Sequence, residues 1–202
     1  MIDLEAEFGP IDIYLFDQLL RGRIRPGMKI LDAGCGAGRN LVYLLRAGYE
    51  VYAMDADAGA IAAVRRLAAS VAPHLPQANV RQETIEGATF ADSIADVVLS
   101  SAVLHFARDD GEFERMLQGS WRLLRPGGVF FCRLASVIGM ETRMRLLGGR
   151  RFALPDGSER YLVDEALLLS LTNRLGGRLI DPLKTTVVQD QRCMTTWVVE
   201  KS

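Results

Sequence analysis

Between Met28 and Leu134 the chain alternates short apolar runs with segments of helical spacing, and no other feature constrains its fold as tightly. Met28–Asp32, Tyr49–Met54, Asn79–Glu83, Asp96–Ser101 and Val129–Leu134 have the composition of strands. Leu41, Leu44 and Leu45 share one helical face, with Gly48 as terminator. Ile61, Val64 and Val71 share another, behind Asp57 as N-cap. Phe113, Met116, Leu117, Trp121 and Leu124 recur the same way over 110–124, until Arg125-Pro126-Gly127-Gly128 breaks the pattern. Strands spaced by such crossovers lie parallel, and their helices cover both faces of the sheet. The chain is therefore expected to be α/β and doubly wound.

The ends complete this picture. A leading amphipathic helix is expected over 10–24, where Tyr14, Leu15, Leu19 and Leu20 recur before Arg25-Pro26-Gly27. A last helix over 164–175 closes at Gly176-Gly177, and strands over 178–188 and 192–200 follow. Only Gln189-Asp190-Gln191 separates those two strands, so they should pair antiparallel. The expectation is a seven-stranded, mostly parallel sheet with one antiparallel strand in the C-terminal hairpin, and all 202 residues in one domain.

Charge is nearly balanced at −1, with 24 basic and 25 acidic residues, so no global field draws nucleic acid or an anionic membrane. No basic groove with interleaved aromatics is visible either, and nucleic acid is not an expected partner. Only Lys29, Lys184 and Lys201 are lysines, which makes the other 21 of the 24 basic residues arginine. Cys35, Cys132 and Cys193 lie far apart without histidine pairs, so no metal is expected. The start, Met1-Ile2-Asp3-Leu4-Glu5, is acidic where a signal peptide would be basic, and no apolar run has membrane-spanning length. A cytoplasmic protein is expected.

The loop Asp32-Ala33-Gly34-Cys35-Gly36-Ala37-Gly38 follows the first strand. In a doubly wound sheet the ligand sits at the carboxyl ends of the strands, and glycine lets the backbone approach it closely. Asp55 ends the second strand 21 residues after Gly34 and can accept the hydroxyl hydrogens of a ribose. A dinucleotide loop would place a glycine three residues after Gly36, where this chain has Arg39. An acid at the first strand's end, Asp32, would oppose a pyrophosphate but suits a ligand carrying an ammonium and a sulfonium. A buried Asp32 that merely organises the loop is the alternative.

Ile30-Leu31-Asp32-Ala33-Gly34-Cys35-Gly36-Ala37-Gly38-Arg39-Asn40 resembles the first motif of class I S-adenosylmethionine (SAM) dependent methyltransferases, and Val51–Asp57 resembles their second. Phe90–Val98, Ala102-Val103-Leu104-His105 and Leu124-Arg125-Pro126-Gly127-Gly128 match later motifs in order, so the resemblance covers roughly 28–135. It implies a Rossmann-like fold, SAM as cofactor and S-adenosylhomocysteine (SAH) as product. It also implies that Asp32, Gly34 and Gly36 hold the methionine end, bordered by Cys35, Arg39, Asn40 and Ser100. Asp55 would hold the ribose, with Ala56 beside the adenine. Many members carry an Asp at the third-strand exit, whereas this chain has Arg81-Gln82-Glu83-Thr84-Ile85, so Glu83 or the backbone of Thr84 and Ile85 would take that place. Gly38-Arg39-Asn40 is similar to small bacterial members of the Methyltransf_11/25 or tellurite-resistance-like type.

Methyl transfer from a sulfonium is an in-line displacement, and its main demand is orientation in a site that excludes water. An alcohol or phenol acceptor would need a base, and His105 at the end of the fourth strand is the candidate, with a packing role as alternative. The motifs of nucleic-acid base methylation are missing, which leaves a small-molecule acceptor as the expectation. Asp109 and Asp110 sit where a helix begins and suit an N-cap better than a metal. The segment 136–162 fits a substrate cap, with a hairpin signal at Pro155-Asp156-Gly157. Its Arg150 and Arg151 are candidate ligands for an anionic acceptor, and Tyr14 on the leading helix is a candidate substrate contact. A SAM- or SAH-binding accessory domain without transfer is the alternative function.

Overall fold

Neighbouring residues of the central strands point into two separate cores, as a sheet covered on both faces requires. In the computed structural model, which describes residues 3–202, strand β1 (Lys29–Ala33) sends Leu31 to one core and Ile30 to the other. The same split places Val98 opposite Val97 in β4 (Ala95–Ser101) and Phe130 opposite Phe131 in β5 (Leu124–Ala135). All of these are fully buried. Each such side chain contributes roughly 1.5–3 kcal/mol relative to exposure, so the paired rows fix strand register firmly.

The chain begins with helices α1 (Leu4–Phe8) and α2 (Ile13–Leu20), then β1 and the short α3 (Val42–Arg46). Strand β2 (Glu50–Asp55), α4 (Ala58–Val71), β3 (Val80–Gln82), β4, α5 (Asp110–Leu123) and β5 follow. An insertion of β6 (Arg145–Gly148), β7 (Arg151–Ala153) and β8 (Glu159–Tyr161) precedes α6 (Glu165–Arg174), β9 (Gly177–Leu179), β10 (Lys184–Val188) and β11 (Arg192–Lys201). The main sheet runs β10-β11-β5-β4-β1-β2-β3. Strands β1 to β5 pair parallel, and β11 runs antiparallel to β5, β9 and β10. Strand order reverses beside β1, between β2 and β4, which puts the crevice at its carboxyl end.

Helix starts follow their caps. Asp57, Asp109 and Asp164 each accept the backbone N–H three residues on, at 2.7 Å, and so begin α4, α5 and α6 where the sequence places them. The leading helix is shorter than the expected 10–24. Asp12 caps it through Tyr14 N at 2.9 Å, and Gly22, at φ +66°, ends it.

The sheet has eight strands rather than seven, because the expected strand over 178–188 is divided at Asp181-Pro182. Proline has no N–H for a ladder. The Asp181 side chain is buried instead, accepting from Gln18 Nε2 at 2.9 Å and pairing with Arg23 at 2.7 Å, which ties α2 to this turn. Strand β9 then pairs with one end of β11 and β10 with the other.

The insertion forms a separate antiparallel sheet, β6-β7-β8, with its β7–β8 turn at the expected Pro155-Asp156-Gly157. Leu154 and Leu162 bury against Ala135 of β5. Tyr161 stacks on Phe113 with ring centroids 4.6 Å apart and donates to Asp110 at 2.8 Å, fixing β8 to α5. Among the described residues no helix is long and apolar enough to cross a membrane.

Candidate functional site

The glycine loop leaves β1 at the crevice. Gly34 N and Cys35 N both donate to Met54 O, at 2.9 and 3.0 Å, which pins the loop to the end of β2. Gly34 adopts φ +85° and Gly36 φ +51°. A Cβ at 34 would lie 2.6 Å from Val103 Cγ2, whereas a Cβ at 36 would project into open space. Gly34 is thus required by packing against the β4 exit, and Gly36 leaves room in the cleft. Gly34→Ala should cost about 1–3 kcal/mol in backbone strain alone, plus the displacement of Val103. Thermal melts of Gly34→Ala and Gly34→Ala/Val103→Ala should show partial recovery in the double variant, since removing the methyls relieves the clash and not the φ.

A cleft of about 550 Å³ opens over this loop. Of the expected cofactor residues, Gly34, Cys35, Gly36, Arg39, Asn40, Asp55, Ala56, Glu83, Thr84 and Ile85 all line it. Each Asp55 oxygen accepts one backbone N–H at 2.9 Å, Oδ2 from Gly36 and Oδ1 from Asp57. A carboxylate oxygen has further acceptor capacity, so Asp55 is held rigidly and can still take two ligand hydroxyls. Glu83 accepts from Thr89 N at 2.8 Å and from its hydroxyl, which shapes the loop after β3. On the opposite wall stand Val103, Phe106 and Met116.

Asp32, at the end of β1, is 2% exposed and stands behind the cleft rather than on its wall. Burial, reinforced by the Asp55 charge and opposed by Arg39, raises its pKa to about 7. A carboxyl in that state favours a cation brought to it, because an ammonium restores the field that burial removed. Burial also pushes the Cys35 thiol far above its usual range, so it lines the cleft as a neutral group and not as a nucleophile.

A second cavity of about 300 Å³ adjoins the first, and Arg39 and Ala102 line both. Ala102 turns the chain out of β4 at φ +64°, with its N–H on Arg133 O at 2.7 Å. Arg39 donates to Ser101 Oγ at 3.1 Å and lies 3.7 Å from Asp12, while Arg133 pairs with Asp12 at 3.0 Å. The Asp12 carboxylate, almost fully buried, therefore anchors both guanidiniums as well as capping α2. Asn40 holds Asp12 in turn, accepting its N–H at 3.0 Å. Arg160 and Arg192 reach the same cavity from β8 and β11.

Several expected residues stand elsewhere. Ser100 faces the sheet interior, completely buried, and its neighbour Ser101 lines the cleft. Tyr14 lies outside both cavities, its hydroxyl 2.7 Å from Thr186 Oγ1, where it joins α2 to β10. Arg150 pairs with Asp164 at 2.9 Å, and Arg151 donates to Ala107 O at 3.2 Å and pairs with Glu159 at 3.4 Å. Neither lines a cavity wall, and both brace the insertion. The arginines at the second cavity are 39, 133, 160 and 192, which are far apart in sequence and adjacent only once the sheet and insertion are folded.

His105 does line the second cavity, but not as the expected base. Its Nδ1 accepts from Ala135 N at 3.1 Å, so the neutral ring carries its proton on Nε2. Burial first, then Arg160 and Arg133, lowers its pKa to about 4. A ring so held offers a donor and has no free nitrogen to take a proton. Among the described residues no three His, Cys, Asp or Glu side chains group to hold a metal.

The methyltransferase-domain family model Methyltransf_11 matches residues 31–132, half of the chain and the part that builds the cleft. An uncharacterised methyltransferase of Synechocystis is 33% identical over 107 residues, covering 53% of this chain and 47% of that protein. A malonyl-[acyl-carrier protein] O-methyltransferase of Enterobacter lignolyticus is 32% identical over 149 residues, covering 73% and 54%. The chain thus spans about half the length of these relatives. In fold it is similar to the Burkholderia thailandensis 1,6-didemethyltoxoflavin-N1-methyltransferase, with TM-score 0.73, 19% identity, and coverage of 99% of this chain and 81% of that one. The glycine loop pinned to β2, the acid beside it and the family match agree, and the chain belongs to the class I SAM-dependent methyltransferases.

Proposed function

We propose that this chain transfers the methyl group of SAM to a small-molecule acceptor seated in the second cavity. One observation carries the reading: the two cavities are contiguous, with Ala102 and Arg39 common to both. Bound SAM supplies an electrophilic methyl carbon on a sulfonium. Asp55 accepts from the ribose hydroxyls, and Asp32 with the backbone of Gly34 and Gly36 receives the methionine end. Ala56 and the Glu83–Ile85 loop flank the adenine. Val103 and Phe106 give the cleft an apolar wall next to Ala102, where orientation does most of the work. The Enterobacter relative is an O-methyltransferase, which supports oxygen as the accepting atom.

Titration with SAM and with NAD tests the cofactor assignment. SAM should bind, and Asp55→Asn, which keeps one acceptor oxygen and loses the charge, should weaken it roughly 10- to 100-fold. NAD binding without SAM binding would refute the reading. SAM binding with no SAH release from any acceptor would point to the accessory-domain alternative.

A further inference from the structure

The second cavity has an uneven chemistry that says what the acceptor is. Four guanidiniums line it, from Arg39, Arg133, Arg160 and Arg192, against one carboxylate, Asp156. Asp156 accepts from Ser158 N at 3.0 Å and from Ser158 Oγ at 2.6 Å, both on Oδ1, and its single charge offsets only part of that of Arg160 and Arg192. Arg39 and Arg133 share the single carboxylate of Asp12. Arg133 also keeps its Nε buried without a hydrogen-bond partner. Among the described residues Arg160 and Arg192 form no ion pair. Arg160 donates only to Glu159 O at 2.8 Å and stacks over Phe106 at 4.7 Å, where the two cavities meet. The remaining polar hydrogen is that of His105 Nε2. The cavity is therefore rich in donors, poor in acceptors, and short of negative charge.

Its other walls are apolar, from Ala135, Leu154, Val188 and Met194. Donors on one side and hydrocarbon on the other match a small organic anion with an apolar body. Chemistry narrows the anion further. His105 offers a donor and no free nitrogen, and Asp156, the one carboxylate here, is held below the ordinary carboxylate range by its Ser158 bonds and by the Arg160 and Arg192 charges, so an alcohol or phenol would find only a weak base. A carboxylate arrives already deprotonated and needs none.

We propose that the acceptor is a small organic acid whose carboxylate is held by Arg133, Arg160 and Arg192 and is itself methylated, a reading that rests on the methyltransferase function above. One carboxylate oxygen forms a bond to the methyl carbon as the carbon–sulfur bond breaks, and that bond's electron pair stays on sulfur. The sulfonium and carboxylate charges cancel, and no proton is released. The ester product no longer pairs with the guanidiniums, which favours its departure.

Calorimetric titration of the SAH-saturated protein with benzoate and hexanoate, each against its amide, tests the subsite. The acids should bind at least tenfold more tightly than the amides, and Arg160→Ala/Arg192→Ala should remove that preference. SAH affinity of the single Arg192→Ala variant should stay within twofold, because Arg192 lines only the second cavity. Equal binding of acid and amide, or an unchanged acid preference in the double variant, overturns the proposal. Label transferred from methyl-labelled SAM to a bound acid should leave as methanol in mild alkali, and alkali-stable label overturns the ester assignment. Failure of SAH itself to bind would instead strike at the cofactor reading, so the two failures are distinguishable.

Discussion

Asp32→Asn should make the cofactor-free protein more stable at pH 8 while weakening SAM binding. The buried carboxyl has a folded pKa of about 7 against an ordinary 3.8, chiefly through burial. The sign follows from linkage: a raised folded pKa favours the protonated form, so its contribution is fully present below 3.8 and is lost as pH rises through 7. Above pH 7 the charged group costs the fold at most about 4 kcal/mol, and asparagine should recover on the order of 2 kcal/mol of that. Bound SAM needs the ionised form, so wild-type affinity should fall about tenfold per pH unit below 7, down to the pKa of the complex. The ligand's own ammonium titrates at about 8, which leaves the range from 5 to 7 to Asp32. Asp32→Asn should flatten that slope and lower affinity at pH 7.5 by roughly 10- to 100-fold. Melting curves at pH 8 and SAM titrations from pH 5 to 8 measure both. An equal slope in the variant, or no gain in stability, contradicts the assignment.

Asp12→Ala should be the most destabilising single substitution at the site. The side chain is 2% exposed, caps α2 through Tyr14 N, and pairs with Arg133 at 3.0 Å and Arg39 at 3.7 Å. Removing it leaves Arg133, already carrying a buried unpartnered Nε, without its counter-charge. Breaking a buried pair from one side costs about 3–5 kcal/mol, and the lost cap adds about 1 kcal/mol. Asp12→Asn retains the cap and should lose less. Chemical denaturation of the three proteins should give wild type, Asn and Ala in that order. If Asp12→Asn and Asp12→Ala lose the same amount, the cap contributes nothing; if both match wild type, the anchor role fails.

Features set by neighbours in sequence were legible before the structure. Asp57 and Asp109 act within three residues, so composition was enough to place α4 and α5. The unbroken apolar runs around Val97-Val98 and Phe130-Phe131 gave central strands, since a sheet covered on both faces buries both neighbours. The residues that line the cleft were legible for a related reason, since Gly34 to Asn40 form one loop and Asp55 the end of one strand. Features set by distant contacts were not. Ser100 and Ser101 differ by one step of strand alternation, which local pattern leaves open. One strand was expected over 178–188 despite Pro182, and the pull of Gln18 and Arg23 on Asp181 that divides it exists only in three dimensions. Arg150 and Arg151 drew attention as a pair in the inserted segment, whereas the cavity takes its arginines from four separate places. His105 was open between a base and a packing role in sequence, because the N–H that occupies its Nδ1 comes from Ala135 on the next strand.

The inserted β6-β7-β8 sheet supplies Leu154, Ser158 and Arg160 to the second cavity and none of the wall of the first. The rest of that wall comes from the sheet and from Arg39 and Ala102, which both cavities share. Under the proposed division of ligands, exchanging the 136–162 segment would reshape one side of the acceptor's seat and leave the donor's cleft as it is. Substrate range would then shift by trimming an appendage, within limits that the sheet beneath it sets.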